Sequence, residues 1–235
     1  MTRWENIKAI AFDLDGTLID SAPDLAAATQ ATLSELDLPI CTEEQVRGWI
    51  GNGAQVLMSR ALTYALGRKV EQSELVNAMP KFMHHYQESL QQHSQLYPYV
   101  KTTLAQLTAL GFPLAIVTNK PHRFTMPLLK AFDISHHFSY VLSGDSLVRM
   151  KPDPLPLTHL LSHWQLASDE LLMVGDSKND ILAAKSAGIS SIGLTYGYNY
   201  GEDIGLSGPD AVCEQFNEIL TLVKNSLKAT EQENP

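Results

Sequence analysis

Asp13 and Asp15 stand two residues apart at the end of the run Lys8-Ala-Ile-Ala-Phe-Asp-Leu-Asp15, so on a strand both carboxylates project to one face. Like charges at one point raise each other's pKa and call for cations. Three further segments supply Thr118-Asn119, Lys151, and the pair Asp176 and Asp180, each at the end of an apolar run or in a loop. In an open α/β sheet such strand ends surround one crevice, where ligands bind. An all-oxygen donor set suits a hard divalent ion, and Mg²⁺ takes one or two carboxylates while keeping waters and binding phosphate. Lys151 adds a second cation. That combination serves phosphoryl transfer, in which one aspartate attacks phosphorus and a neighbouring carboxyl protonates the leaving oxygen and later activates water. Singly, each piece has a plainer use. Asp-x-Asp-Gly makes a solvated turn, Thr118-Asn119 a helix N-cap, Lys151 a loop lysine, and Gly175–Asp180 a capped strand-to-helix connection. Their joint occurrence favours the chemical reading.

Positioning these groups falls to predicted strands at Lys8–Asp15, Pro113–Thr118, Leu171–Asp176 and Ile189–Leu194. Between them, Val100–Leu110, Leu155–His163 and Asp180–Ala187 carry helical periodicity, with Gly111 and Gly188 as C-caps. Strands alternating with helices predict an α/β fold with a parallel sheet. Residues 21–94 break the rhythm: Leu25–Leu36, Glu43–Trp49, Ala54–Leu66 and Glu71–Gln92 are helix-periodic with no strand among them. The expected organisation is a core of residues 1–20 and 95–235 with an all-helical insertion over 21–94, the chain returning at Tyr97-Pro-Tyr99. The polar tail after about Leu227 is expected to fray.

In order and spacing, Asp13-Leu-Asp-Gly-Thr-Leu18, Val117-Thr-Asn119, Lys151-Pro-Asp153 and Gly175-Asp-Ser-Lys-Asn-Asp180 resemble the four motifs of haloacid dehalogenase-superfamily phosphatases. The likeness spans residue 8 to about 194, and no core catalytic position departs from the pattern. It implies a Rossmann-like parallel-sheet core, with the helical insertion as a cap, and Mg²⁺-dependent hydrolysis of phosphomonoesters through an aspartyl-phosphate. Carried over by position, it implies that Asp13 is the nucleophile and Asp15 the general acid/base. Thr118 and Asn119 would hydrogen-bond the phosphoryl group, and Lys151 would pair with that group and with Asp13. The metal set implied is Asp13, Asp176 and the backbone carbonyl of Asp15, with Asp180 supporting it. Asp20-Ser-Ala-Pro-Asp24, Trp49-Ile-Gly-Asn-Gly-Ala54 and Thr195-Tyr-Gly-Tyr-Asn-Tyr-Gly201 are similar to segments of family members that hydrolyse 2-phosphoglycolate. On that reading Gly51, Asn52 and Gly53 contact substrate, backbone N–H groups at the start of a helix binding its carboxylate. A helix break is the plainer use of that turn.

The same motifs also suit a phosphatase of another small metabolite (a sugar phosphate, a nucleotide or pyrophosphate), a phosphomutase, or a non-catalytic phosphate-binding protein. Displacement of halide would leave Asp15 without a task, because departing halide needs no proton. With 44% hydrophobic and 18% charged residues, the 235-residue chain lies far from the composition of disordered proteins. A net charge of −9 repels phosphate backbones and anionic lipid, so the expected partner is a small phosphorylated metabolite, with no nucleic acid and no membrane. The run Ala9–Phe12 is broken by Asp13, and nothing approaches the roughly 18 apolar residues of a membrane span, so a cytoplasmic location is expected. Cys41 and Cys213 form no metal or disulfide pattern and read as buried or idle thiols. His159 and His163 lack the glutamate of a zinc motif, and the pairs His84-His85 and His136-His137 are assigned no chemistry. Monomer and homodimer both stay open, as does the use of Tyr196, Tyr198 and Tyr200 in packing, the site or a subunit contact.

Overall fold

The computed structural model of the chain describes residues 4–224. At its centre lies β1 (Ala9–Phe12), fully buried on both faces. Ile10 and Phe12 enter the larger of two apolar clusters, while Ala9 and Ala11 enter the smaller one, as the two-residue period of a strand requires. The other strands are β2 (Ile19–Asp20), β3 (Gln95–Leu96), β4 (Leu114–Val117), β5 (Phe138–Leu142), β6 (Leu171–Gly175), β7 (Ser190–Leu194) and β8 (Ala211–Cys213). Six of them form a parallel sheet in the order β5-β4-β1-β6-β7-β8. The chain runs from β1 out to β4 and β5, then returns to β6 on the other side. That reversal opens a crevice at the carboxyl ends of the central strands.

The sheet has two more strands than the sequence reading named. β5 is half-buried at one edge, so its Phe-Ser-Tyr-Val-Leu run lacks the continuous apolar character of a central strand. β8 is only three residues long and closes the other edge. The helix α6 (His122–Ala131) carries no mark in the sequence either, because Pro127 inside it masks its period. Thr118 and Asn119 do not cap it, because its N-cap is Pro121.

Between β2 and β3 run α1 (Ala22–Glu35), α2 (Glu43–Arg47), α3 (Ala54–Leu66) and α4 (Gln72–Ser89). β2 and β3 pair antiparallel and form the neck through which the chain leaves and re-enters the core. Asp24, fully buried in the first turn of α1, ties this neck together. Its carboxylate accepts from His93 N at 2.8 Å, Ser94 N at 3.0 Å and Ser94 Oγ at 2.5 Å. The core helices are α5 (Val100–Ala109), α6 (His122–Ala131), α7 (Leu155–Trp164) and α8 (Lys178–Ala187). Cys41 and Cys213 are buried free thiols. His159 stacks beside His163 and bonds Tyr140 Oη at 3.0 Å. Among the described residues, no helix is long and apolar enough to cross a membrane. The expected fraying after Leu227 lies outside the described residues.

Candidate active site

The hydrogen-bond ladder of β1 continues one residue past its end, Asp13 N donating to Val174 O at 3.0 Å, before the chain turns through Gly16 at φ 88°. Because the strand stops there, Asp13 and Asp15 acquire different partners although both line the same cavity. Asp13 Oδ1 lies 2.9 Å from Lys151 Nζ, an ion pair by distance whose alignment leaves that buried oxygen without a hydrogen bond. Lys151 donates instead to Asp180 Oδ1 at 2.6 Å. Asp180 Oδ2 accepts from Ser177 N at 3.0 Å, at the start of α8. Asp176, at the end of β6, accepts from Thr17 Oγ1 at 2.7 Å and Tyr198 N at 2.8 Å.

Asp13, Asp176 and Asp180 are all buried, each with a carboxylate oxygen within 4.8 Å of the others. Burial raises the Asp176 carboxyl well above the ordinary carboxylate range, and the charges of Asp13 and Asp180 add to the rise. Burial likewise pushes Asp180 up to about 6, against the pull of Lys151 and with help from Asp13. Burial alone would lower the Lys151 ammonium, but Asp13 and Asp180 outweigh it and push it up to about 12. Three carboxylates thus face one ammonium, and a divalent cation would neutralise the remainder. The donor set fits such an ion. The Asp15 carboxylate lies outside this trio.

Asp15 is held from two sides: Ser21 Oγ donates to Oδ1 at 2.5 Å, and Lys120 Nζ donates to Oδ1 at 3.0 Å and Oδ2 at 3.1 Å. Lys120 also donates to Tyr86 Oη of α4 at 2.6 Å. Neither Lys120 nor Tyr86 was singled out from sequence; Lys120 directly follows Thr118-Asn119, and that adjacency was the only available signal. Thr118 is buried in the cavity wall, its Oγ1 accepting from Lys120 N at 3.2 Å. Asn119 lies there too, but both its amide hydrogens are taken, one by Gly51 O at 2.9 Å and one by Lys151 O at 2.8 Å. Two carbonyl acceptors fix the orientation of that amide.

Gly51 and Gly53 line the cavity from the helical insertion, and Gly53 is the N-cap of α3. Gly51 O accepts from Asn119 and also from Asn179 Nδ2 at 3.0 Å, which seats the turn on the core. A side chain at Gly51, where φ is 120°, would put its Cβ 2.7 Å from Tyr200 Oη. Asn52 does not line the cavity; its Oδ1 accepts from Tyr200 Oη at 2.8 Å and Arg60 at 2.9 Å. The three tyrosines serve as ties. Tyr196 Oη donates to Thr17 O at 2.8 Å. Tyr198 Oη accepts from Ser21 N and Ala22 N and donates to Asp20 Oδ1 at 2.8 Å. Apolar side chains such as Leu57, Phe82 and Phe124 complete the cavity wall.

The buried carboxylates and Lys151 meet at the switch point of a parallel sheet, the place where open α/β sheets take their ligands, and this is an α/β hydrolase. A family model for haloacid dehalogenase-like hydrolases matches residues 10–194, and the chain belongs to that family. It is 46% identical over 236 residues to the phosphoglycolate phosphatase of Escherichia coli (strain K12), covering 94% of each chain. It is 48% identical over 223 residues to that of Yersinia pestis, covering 95% of this chain and 96% of the relative. The crystal structure of a predicted phosphoglycolate phosphatase from Haemophilus somnus 129pt superposes with a TM-score of 0.89 at 45% identity, over 94% of this chain and 99% of that one.

Proposed function

We propose that this protein is a Mg²⁺-dependent phosphomonoester hydrolase that converts 2-phosphoglycolate to glycolate and inorganic phosphate. The observation that carries the reading is Asp13: a buried carboxylate beside Lys151, lining a cavity whose wall also presents Asp15. A carboxylate oxygen of Asp13 attacks phosphorus as the ester P–O bond breaks, and Asp15 gives its proton to the departing alkoxide. Water then attacks the phosphorus of the aspartyl-phosphate while Asp15 takes its proton, and the acyl phosphate P–O bond breaks to regenerate Asp13. Ser21 and Lys120 hold Asp15 in place for both steps. Lys151 offsets charge at Asp13 and the phosphoryl oxygens, and Thr118 borders that group. Asn119 acts by fixing the Gly51 turn and the Lys151 loop rather than by donating its amide to phosphate. Asp13 and Asp176, with Asp180 behind them, would hold Mg²⁺, whose charge supplies electrostatic stabilisation of the transferring group.

Residues 21–94 act as the cap over the leaving part, contributing Gly51, Gly53, Leu57, Phe82 and Tyr86 to the cavity wall. The identity of the relatives supports 2-phosphoglycolate as the substrate. The test is a side-by-side turnover assay. kcat/KM for 2-phosphoglycolate should exceed that for glucose 6-phosphate and AMP by at least about tenfold, or about 1.4 kcal/mol of transition-state binding. The products should be inorganic phosphate and free alcohol, without an isomeric ester. A hexose phosphate or nucleotide as the better substrate would overturn the substrate; an isomeric ester would overturn hydrolysis.

A further inference from the structure

Lysine is among the residues least often buried unless it is paired, yet the Lys120 side chain is only 2% exposed. Its ammonium contacts both oxygens of Asp15 and the Tyr86 hydroxyl, and lies 4.7 Å from the centre of the Tyr86 ring. Tyr86 is a neutral phenol there, because burial raises its pKa far above the usual range. Among the residues that line the cavity under the cap, Lys120 is the one cationic side chain. Lys151, the other buried lysine of the site, is engaged by Asp13 and Asp180. A phosphorylated hydroxy acid carries negative charge at both ends. Its phosphoryl end meets Lys151 and the acidic trio's cation. Its carboxylate end must enter a chamber that already holds Asp13 and Asp15, where an unpaired charge is costly.

We propose that Lys120 is a specificity-determining residue: its ammonium, held ready by Asp15 and Tyr86, receives the carboxylate of the substrate's leaving part. This rests on the 2-phosphoglycolate reading above. The main chain of Lys120 is fixed, its carbonyl accepting from Gly144 N at 2.8 Å, and it stands two residues from Thr118 at the phosphoryl end. The distance between the two anion-binding points is therefore set by a short rigid segment, which selects a short leaving group. The glycine turn, to which the sequence assigns the carboxylate, also lines the cavity and is held there by Asn119.

A matched pair of substrates tests the assignment: 2-phosphoglycolate and ethyl phosphate, which share a two-carbon chain and differ by the carboxylate. Wild-type protein with Mg²⁺ should prefer 2-phosphoglycolate by at least about 100-fold in kcat/KM. Lys120→Met and Lys120→Gln should cut that preference by at least about tenfold, with a smaller loss on ethyl phosphate from a loosened Asp15. Glycolate, as a competitive inhibitor, should bind these variants at least about tenfold more weakly, a readout independent of the chemical step. Lys120→Arg should restore part of the preference. Tyr86→Phe, which keeps the ring packing, should lower it in the same direction. Loss of the wild-type preference itself would sink the substrate reading and this proposal with it. A normal wild-type preference that survives in a folded Lys120→Met or Lys120→Gln protein would overturn the role of Lys120 alone. Should neither fold by thermal melting, an unchanged preference and glycolate affinity in Tyr86→Phe would overturn it.

Discussion

Replacing Gly16 by alanine probes a close contact in the site. Gly16 has φ 88°, and a Cβ there would sit 2.3 Å from Asp176 Oδ2 and 2.7 Å from its Cγ. The left-handed backbone costs a residue with a Cβ about 1–2 kcal/mol. Reaching ordinary contact requires a shift of roughly 1 Å, since non-bonded atoms settle at about 3.5 Å. Asp176 has little room to give: it is 1% exposed and held by Thr17 Oγ1 and Tyr198 N. Overpacking of this kind costs about 1–3 kcal/mol, and losing one hydrogen bond to a charged group about 1.5–3 kcal/mol more. The variant should therefore be about 3.5–8 kcal/mol less stable, a large share of the roughly 5–15 kcal/mol of a typical domain. Misplacing a catalytic group by about 1 Å costs on the order of 100-fold in rate, so turnover should fall with stability. Urea denaturation read by fluorescence, with kcat measured across a Mg²⁺ titration, checks both. A variant within about 1 kcal/mol of wild type and with kcat reduced less than about threefold would refute the reasoning.

Asp13→Asn should abolish turnover in a protein with an unchanged circular dichroism spectrum, because the amide keeps the shape and loses the attacking oxygen. Asp15→Asn should lower the rate by roughly 10²–10⁴ on alkyl phosphates and less on p-nitrophenyl phosphate, whose leaving group departs without a proton; equal losses on both would exclude it as the acid. Asp24→Ala strips the acceptor from two main-chain N–H groups and one hydroxyl, and should cost about 3 kcal/mol or more in a denaturant titration. Mg²⁺ should raise the melting temperature, with about 2.7 kcal/mol of stabilisation at 100 times its Kd, and that gain should shrink in Asp176→Asn. Ca²⁺, which accepts more oxygen ligands and tolerates bidentate carboxylates, should inhibit in competition with Mg²⁺, as steady-state kinetics at fixed substrate would show.

The residues of the candidate site were legible in the sequence because their information is local. Asp13 and Asp15 before Gly16, Thr118-Asn119 and Asp176 each follow a strand end, where a buried apolar run must give way to polar residues, and Asp180 stands in the first turn of α8 just after. The central strands were legible for the same reason. Their hydrophobic continuity follows from burial on both faces, whereas β5 and β8 at the edges needed less of it and left no comparable mark. What tertiary structure decided is pairing. The period-two argument put Asp13 and Asp15 side by side, but β1 ends at Phe12, and the turn hands Asp13 to Lys151 and Asp15 to Lys120. Lys120 meets Asp15 across 105 residues of chain and Tyr86 across 34, contacts that no local spacing encodes. The amide of Asn119 reaches Gly51 across 68 residues, a contact between core and helical insertion that no local spacing encodes. A side chain's type is written in the sequence, but its partner depends on which distant strand ends and helices the sheet order brings together.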